Sequence, residues 1–393
     1  MIAHLRKDIK SRVLNGHPWI YENEIESVES GVKEGDILSV FFGKNFIGKG
    51  YYNPNSVIRI RILTRKNEEI NKDFFYKKIL KAYEYRRSLF PGSNTYRLVF
   101  AESDGLPGLV VDRFDDYVIF QINTLGIYEH KDDIIESIVK ILNPKGIYEK
   151  DDERSAQKEK FVPYQGWVYA NGPELIEFAI EGVKFICDVQ GQKTGFFLDQ
   201  RINAQNIAKY ASNKKVLDAF AYTGNFGIHS LKGGAKFVTF IDYSERALKI
   251  LEETLKLNKF SAERYELVNA NTFDYLRVLD DTSRYYDITV IDPPSLAKSR
   301  DSKANAIKGY KELNLRAMKI TRSGGYLCTS SCTQIVYEED FRKIIFEAAQ
   351  DTGKKLTVVY RGMQSPDHPL IYNIFETEYL KHYFIRVENL EEF

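Results

Sequence analysis

From about residue 171 onward, short apolar runs alternate with longer amphipathic stretches, and this alternation restricts the fold more than any other feature. KVLDAF (215–220), KFVTFID (236–242), YELVNA (265–270), DITVID (287–292) and GYLCTS (325–330) have the length and β-branched content of strands. Between them, 225–232, 244–259, 303–321 and 338–352 carry helical spacing. Strands that are mostly apolar and are separated by helices fit a parallel, doubly wound α/β sheet covered on both faces. KLTVVYRG (355–362) and YLKHYFIRV (379–387) then read as an antiparallel edge pair.

Such sheets bind ligands outside the carboxyl ends of their strands. The first strand runs into LDAFAYTGNFGIHS (217–230), where Gly224 and Gly227 open a turn to close backbone approach. The second ends in Asp242, 24 residues beyond Asp218, a spacing at which a carboxylate can hold both hydroxyls of a ribose. The third ends near Asn271. The fourth ends in IDPPS, where Pro293 and Pro294 fix the backbone behind Asp292 and aim its carboxylate into the crevice. Singly, each has a plainer reading: Asp242 as a helix cap, Asp292-Pro-Pro as a strand terminator. In register at successive strand ends they describe a nucleoside site. GxGxxG is absent, which disfavours an NAD-dependent dehydrogenase.

Upstream, residues 1–70 are β-rich, 71–170 read as a small α+β unit with a helix beginning at Asn71, and DDERSAQKEK (151–160) reads as a loop. The net charge of +1 excludes a protein coated in nucleic acid, so any RNA contact must come from local patches. VIRIRILTRK (57–66) is one, with Arg59 and Arg61 on one strand face; the alternative is a solvated edge strand. The three cysteines, 187, 328 and 332, have no CxxC spacing, so neither a disulfide framework nor a zinc or other metal site is expected. A reducing cytoplasm follows, and with no long apolar run, no membrane partner.

The run LDAFAYTGNFGIHS…FIDYSERAL…NANTFDYL…VIDPPSLAKS resembles a class I S-adenosylmethionine-dependent methyltransferase. GQKTGFFLDQR (191–201), GYKELN (309–314), TSSCT (329–333), DHP (367–369) and YLK (379–381) narrow the resemblance to the large-subunit rRNA cytosine-C5 methyltransferase I family, over essentially the whole chain. The resemblance implies a PUA β-barrel at 1–70, fitted by GHPWIYENEI (16–25) and EGDILSVF (34–41), a small α+β domain at 71–170, and a Rossmann-like methyltransferase domain at 171–393. It implies S-adenosylmethionine as cofactor and rRNA as partner, and it allows a homodimer. Cofactor contacts are implied for Asp218, Phe220, Tyr222, Thr223, Gly224, Asp242, Tyr243, Asn271 and Asp292. The segment holding Thr194, Phe197, Asp199, Gln200 and Arg201 is implied to lie near the cofactor, although TGFFLDQR alone reads as a helix entry. Substrate contacts are expected from Pro293, Pro294, Tyr310 and Asn314, the last two one helical turn apart, and from Arg59 and Arg61.

Cytosine C5 is a poor nucleophile. A thiolate adding at C6 raises electron density at C5, which then takes a methyl group from a sulfonium; loss of the C5 proton and of the thiolate restores the ring. Cys332 aligns with the family's catalytic cysteine, in Ser331-Cys332-Thr333 rather than Ser-Cys-Ser, whereas Cys328 reads as core. Asp292 is the expected base-pocket acid, emerging on the strand neighbouring Cys332, about 5 Å away laterally. Ser295 stands where other cytosine-C5 enzymes carry a second cysteine. Methylation of a base nitrogen, needing no nucleophile, and an RNA-binding protein with a degenerate catalytic domain are the competing readings. His368 and Lys381 match the family without an assigned role.

Overall fold

The computed structural model describes every residue except Lys10, Lys298 and Phe393. The chain forms two compact units. One comprises Met1–Ala179, Cys187–Phe196 and Pro366–Thr377; the other comprises Ile180–Ile186, Phe197–Ser365 and Glu378–Phe393. No helix among the described residues is long and apolar enough to cross a membrane.

The first unit holds two sheets. The six-stranded sheet runs, from edge to edge, Trp19–Tyr21, Ile58–Thr64, Asn45–Tyr52, Ile37–Phe42, Ile2–Leu5 and Ile25–Val28. It closes on a core of Ala3, Leu5, Val13, Ile20, Leu38, Val40, Ile60 and Ile62. The strand carrying Arg59 and Arg61 is therefore internal and not an edge. The five-stranded sheet spans Thr95–Tyr169 and packs on helices Lys72–Leu89 and Lys131–Leu142. Asn71 caps the first of these helices by accepting the Phe74 N–H at 3.1 Å. The charged stretch 151–160 is not a loop. Asp152 accepts the Ser155 N–H at 2.9 Å and starts a helix, Glu153–Glu159, whose Ala156 is buried.

The second unit is built on a seven-stranded sheet. In chain order its strands are β1 (Lys215–Ala219), β2 (Phe237–Asp242), β3 (Tyr265–Asn269), β4 (Tyr286–Ile291), β5 (Thr321–Ser331), β6 (Lys354–Gly362) and β7 (Lys381–Asn389), arranged β3-β2-β1-β4-β5-β7-β6. The first five are parallel; β7 is antiparallel to both β5 and β6. Its helices are α1 (Arg201–Ala208), α2 (Asn225–Lys232), α3 (Glu245–Leu257), α4 (Thr272–Asp281), α5 (Lys303–Ile320) and α6 (Glu338–Thr352). Ala219, Ile241, Ile291 and Thr329 pair level across β2-β1-β4-β5. The next residue on each strand, Phe220, Asp242, Asp292 and Ser330, thus lies on one carboxyl rim.

Candidate active site at the carboxyl rim

The loop after β1 is bent by three alternate residues in the left-handed region: Phe220 (φ 64°), Tyr222 (φ 49°) and Gly224 (φ 83°). Two of them carry side chains, so the conformation costs of order 1–3 kcal/mol per residue and persists only because its surroundings hold it. Two carboxylates do the holding. Asp218 accepts the Gly227 N–H at 2.8 Å, inside the first turn of α2. Asp242 accepts the Tyr222 N–H on one oxygen and the Ser244 N–H on the other, both at 2.8 Å. Asp242 therefore does not cap α3; Ser244 does, accepting from Ala247. Gly227 serves packing rather than ligand approach, since a Cβ there would lie 2.1 Å from the Phe240 ring.

A nucleoside-bearing cofactor fits this loop. Thr223 Oγ1 and both amide atoms of Asn225 are buried without a hydrogen-bond partner, polar atoms that a ligand would satisfy. Asn225 was not among the sequence expectations, though it sits beside Gly224 in the same turn. Tyr243 is exposed next to Asp242, and Phe197 meets the Tyr222 ring edge-on, centroids 5.2 Å apart. Burial raises the Asp242 carboxyl above its ordinary range and pushes Asp218 up to about 7, with Asp292 and Asp242 adding smaller like-charge contributions at Asp218.

Several expected cofactor ligands have other contacts. Asn271 uses its side-chain oxygen to cap α4, accepting from Phe273 and Asp274. Gln200 donates to Asp292 Oδ1 at 2.8 Å and to Ser330 Oγ at 3.2 Å, and accepts from Asn203 at 2.6 Å. With both amide hydrogens committed, it orients Asp292 rather than reaching a ligand. Asp199 accepts from the Tyr379 hydroxyl at 2.6 Å, and Arg201 is fully buried. Thr194 belongs to the first unit, where it donates to Asp112.

On β5 the residue after Thr329, the partner of Ile291, is Ser330, and Cys332 lies two residues farther out, just past the strand end. Thr333 Oγ1 ties this end to the Pro293-Pro294 loop. It lies 2.7 Å from the Tyr310 hydroxyl, 3.2 Å from the Leu296 N–H and 3.1 Å from Ser295 Oγ. Ser295 donates to the Ala297 carbonyl, so a consistent assignment has Thr333 accepting from Tyr310 and Leu296 and donating to Ser295. Tyr310 thus reaches the strand-five end, its hydroxyl pushed up to about 12 by burial. Asn314 donates to the Tyr310 carbonyl within α5 and is buried, so it braces that helix. Cys328 is sealed in the core beside His382, and Cys187 is equally buried; burial raises both thiols far above their ordinary range. Cys332 is half-buried.

The basic run at 57–66 changes meaning. Arg61 is buried and pairs with Glu159 at 2.9 Å, in a cluster with Ser56 and Asn53, so it has no face for phosphate. Arg59 pairs with the exposed Glu22 at 2.8 Å. His368 contacts Asp367 at 3.1 Å in the first unit.

Residues 3–65 match the model of a PUA-like domain family, and residues 158–377 that of an S-adenosylmethionine-dependent methyltransferase family. The chain is 36% identical over 390 residues to the ribosomal RNA large subunit methyltransferase I of Aliivibrio fischeri, covering 98% of each. It is 37% identical over 392 residues to the protein of that name from Vibrio parahaemolyticus, again covering 98% of each. The chain belongs to the ribosomal RNA large subunit methyltransferase I family. S-adenosylmethionine is the cofactor of this methyltransferase, and the loop around Asp218, Thr223, Asn225 and Asp242 is the part of the structure suited to hold it. Among solved structures, SMU.776, complexed with SAH, superposes with a TM-score of 0.86 at 21% identity, covering 98% of this chain and 100% of that one; it shares the fold.

Proposed function

We propose that this methyltransferase transfers a methyl group to C5 of a cytosine in large-subunit rRNA, through a covalent Cys332 adduct. The rRNA substrate is carried over from the names of its relatives. The observation that supports the adduct is the contrast among the three thiols: Cys187 and Cys328 are sealed, whereas Cys332 is half-buried at the carboxyl rim next to the Thr333 hub. S-adenosylmethionine, when bound, supplies an electrophilic methyl group. The protein supplies the rest. Cys332 adds to C6 and pushes the C5–C6 electron pair toward C5. Asp292, steadied by Gln200, hydrogen-bonds the N3/N4 edge of the base. Thr333, Tyr310 and Ser295 keep the strand end and the Pro293-Pro294 loop in register around it.

The test is Cys332→Ala, assayed on rRNA and on an RNA with 5-fluorocytosine at the target. Methyl transfer should vanish while S-adenosylhomocysteine still binds, and only the wild type should be trapped as a covalent RNA adduct, because fluorine at C5 cannot leave as a proton. Cys328→Ala should keep both activities. Retained methylation by Cys332→Ala would instead indicate a base nitrogen as the acceptor.

A further inference from the structure

A thiol at a half-buried position needs a group to take its proton before it can add to a base. The backbone pairing of β5 with β7 brings one there. Ser331 pairs with Lys381, so the lysine enters the sheet directly opposite the residue before Cys332. Its Nζ does not run out to solvent. It turns inward and donates to the Thr333 carbonyl at 2.8 Å and the Tyr379 carbonyl at 2.9 Å, leaving the residue 6% exposed. Cys332 is thus bracketed by two residues, Ser331 and Thr333, that Lys381 engages through strand pairing and through its amine.

The donor arithmetic fits a neutral amine as well as an ammonium. A neutral lysine has two N–H bonds, both used on these carbonyls, and one lone pair left to accept a proton; an ammonium has a third N–H to give back. Burial lowers the Lys381 amine to about 8, and Cys332 heads the negative charges that oppose the lowering. An amine lowered this far is partly neutral just above neutral pH and can then take a proton. The other ionisable groups facing the amine are accounted for. Glu338 pairs with Arg361 at 3.0 Å and accepts from Tyr383, Asp340 pairs with Lys303 at 2.7 Å, and Glu378 is exposed. Tyr310, held far above neutrality, stays protonated.

We infer that Lys381 acts through Cys332 as its proton acceptor and charge partner: the thiol S–H bond breaks, an N–H bond forms on Nζ, and the electron pair remains on sulfur as a thiolate beside an ammonium. No net charge enters or leaves the site. The same ammonium favours the thiolate as leaving group when the adduct resolves. The role of Cys332 as nucleophile rests on the function proposed above, but the thiol–amine pair is measurable without any RNA.

The experiment follows the rate of Cys332 alkylation by iodoacetamide against pH, read by mass mapping of the Cys332 peptide, in wild type, Lys381→Met and Lys381→Arg. S-adenosylhomocysteine affinity serves as the check on folding. Lys381→Met should move the alkylation midpoint up by about one pH unit or more, roughly tenfold less thiolate at neutral pH. Lys381→Arg keeps the charge but its guanidinium takes no proton. It should hold the midpoint near the wild-type value, which a purely structural lysine would not give, while methyl transfer falls, which a charge partner alone would not give. Should Lys381→Met lose cofactor binding, Lys381→Gln decides by the same midpoint. An unchanged midpoint on removing the charge overturns the inference and leaves the Cys332 adduct standing; retained methylation by Cys332→Ala overturns the adduct and leaves the pair measurable.

Discussion

Replacing Asp242 by asparagine isolates what its carboxylate does. Each carboxylate oxygen already accepts one backbone N–H at 2.8 Å, from Tyr222 and from Ser244. The Tyr243 N–H also bears on this carboxylate, and since an ionised carboxylate has about four acceptor positions, one remains for a ribose hydroxyl. The amide of asparagine keeps one acceptor oxygen and sets an NH2 against either the Tyr222 or the Ser244 N–H. One backbone donor is then unpaired and one hydroxyl loses its acceptor. A hydrogen bond to a charged group contributes about 1.5–3 kcal/mol, so the hydroxyl term alone weakens binding roughly ten- to hundredfold. Calorimetric titration with S-adenosylhomocysteine and with its 2′-deoxy analogue makes the argument a cycle. In the wild type, removing the 2′-hydroxyl should cost about as much as the mutation; in Asp242→Asn the same removal should cost little. The raised carboxyl adds a pH signature: because the charged form is the acceptor, wild-type affinity should fall with decreasing pH, beginning above the usual carboxylate range. Equal deoxy penalties in both proteins would refute the assignment, as would unchanged affinity in a folded Asp242→Asn.

Arg61→Ala should cost about 3–5 kcal/mol of stability, because it strands the Glu159 carboxylate in a buried cluster; an unchanged urea midpoint would refute the buried pair. Arg59→Ala should leave that midpoint in place, and a loss of about 1 in the slope of log rRNA affinity against log salt would identify Arg59 as a phosphate contact. Asp218, held near 7 in the fold and near 3.8 unfolded, binds its proton more tightly when native, so its contribution to stability is lost as pH rises from about 4 through about 7. Thermal unfolding of wild type should therefore decline relative to Asp218→Asn across that window, by at most about 4 kcal/mol, and a flat difference would show that the carboxyl is not desolvated.

The sheet was legible because buried parallel strands are apolar runs of fixed length, and the residue after each run is where chemistry sits. Asp242, Asp292 and the place of Cys332 follow from that rule, whereas Asp218 sits inside its strand and the role of Cys332 came from the family resemblance. What stayed hidden depends on contacts between distant positions. Nothing near Arg61 announces Glu159, 98 residues away, yet that carboxylate turns an apparent phosphate contact into part of a core. Gln200 looked like a ligand because it lies in a family motif; its commitment to Asp292, 92 residues on, is visible only in three dimensions. Two misses were avoidable. LIEFAI and VKFICD flank Glu181-Gly182, both of positive φ, a hairpin signal that the alternating pattern carries openly. Helix α4 begins at an asparagine cap followed by Phe273, Leu276 and Leu279 at helical spacing.

The position of β7 has a consequence for how the enzyme comes into being. It lies between β5 and β6 in the sheet but follows both in the chain, so a ribosome delivers it after its two neighbours. Until then β5 presents a bare outer edge, the kind of unpaired strand that recruits wrong partners. The Cys332 end of β5 cannot be completed in this interval, because Lys381 is the first residue of β7 and arrives with it. Vectorial synthesis therefore delivers the strand that borders the Cys332 end of β5 last, and the proposed thiol–amine pair can form only once the sheet is closed.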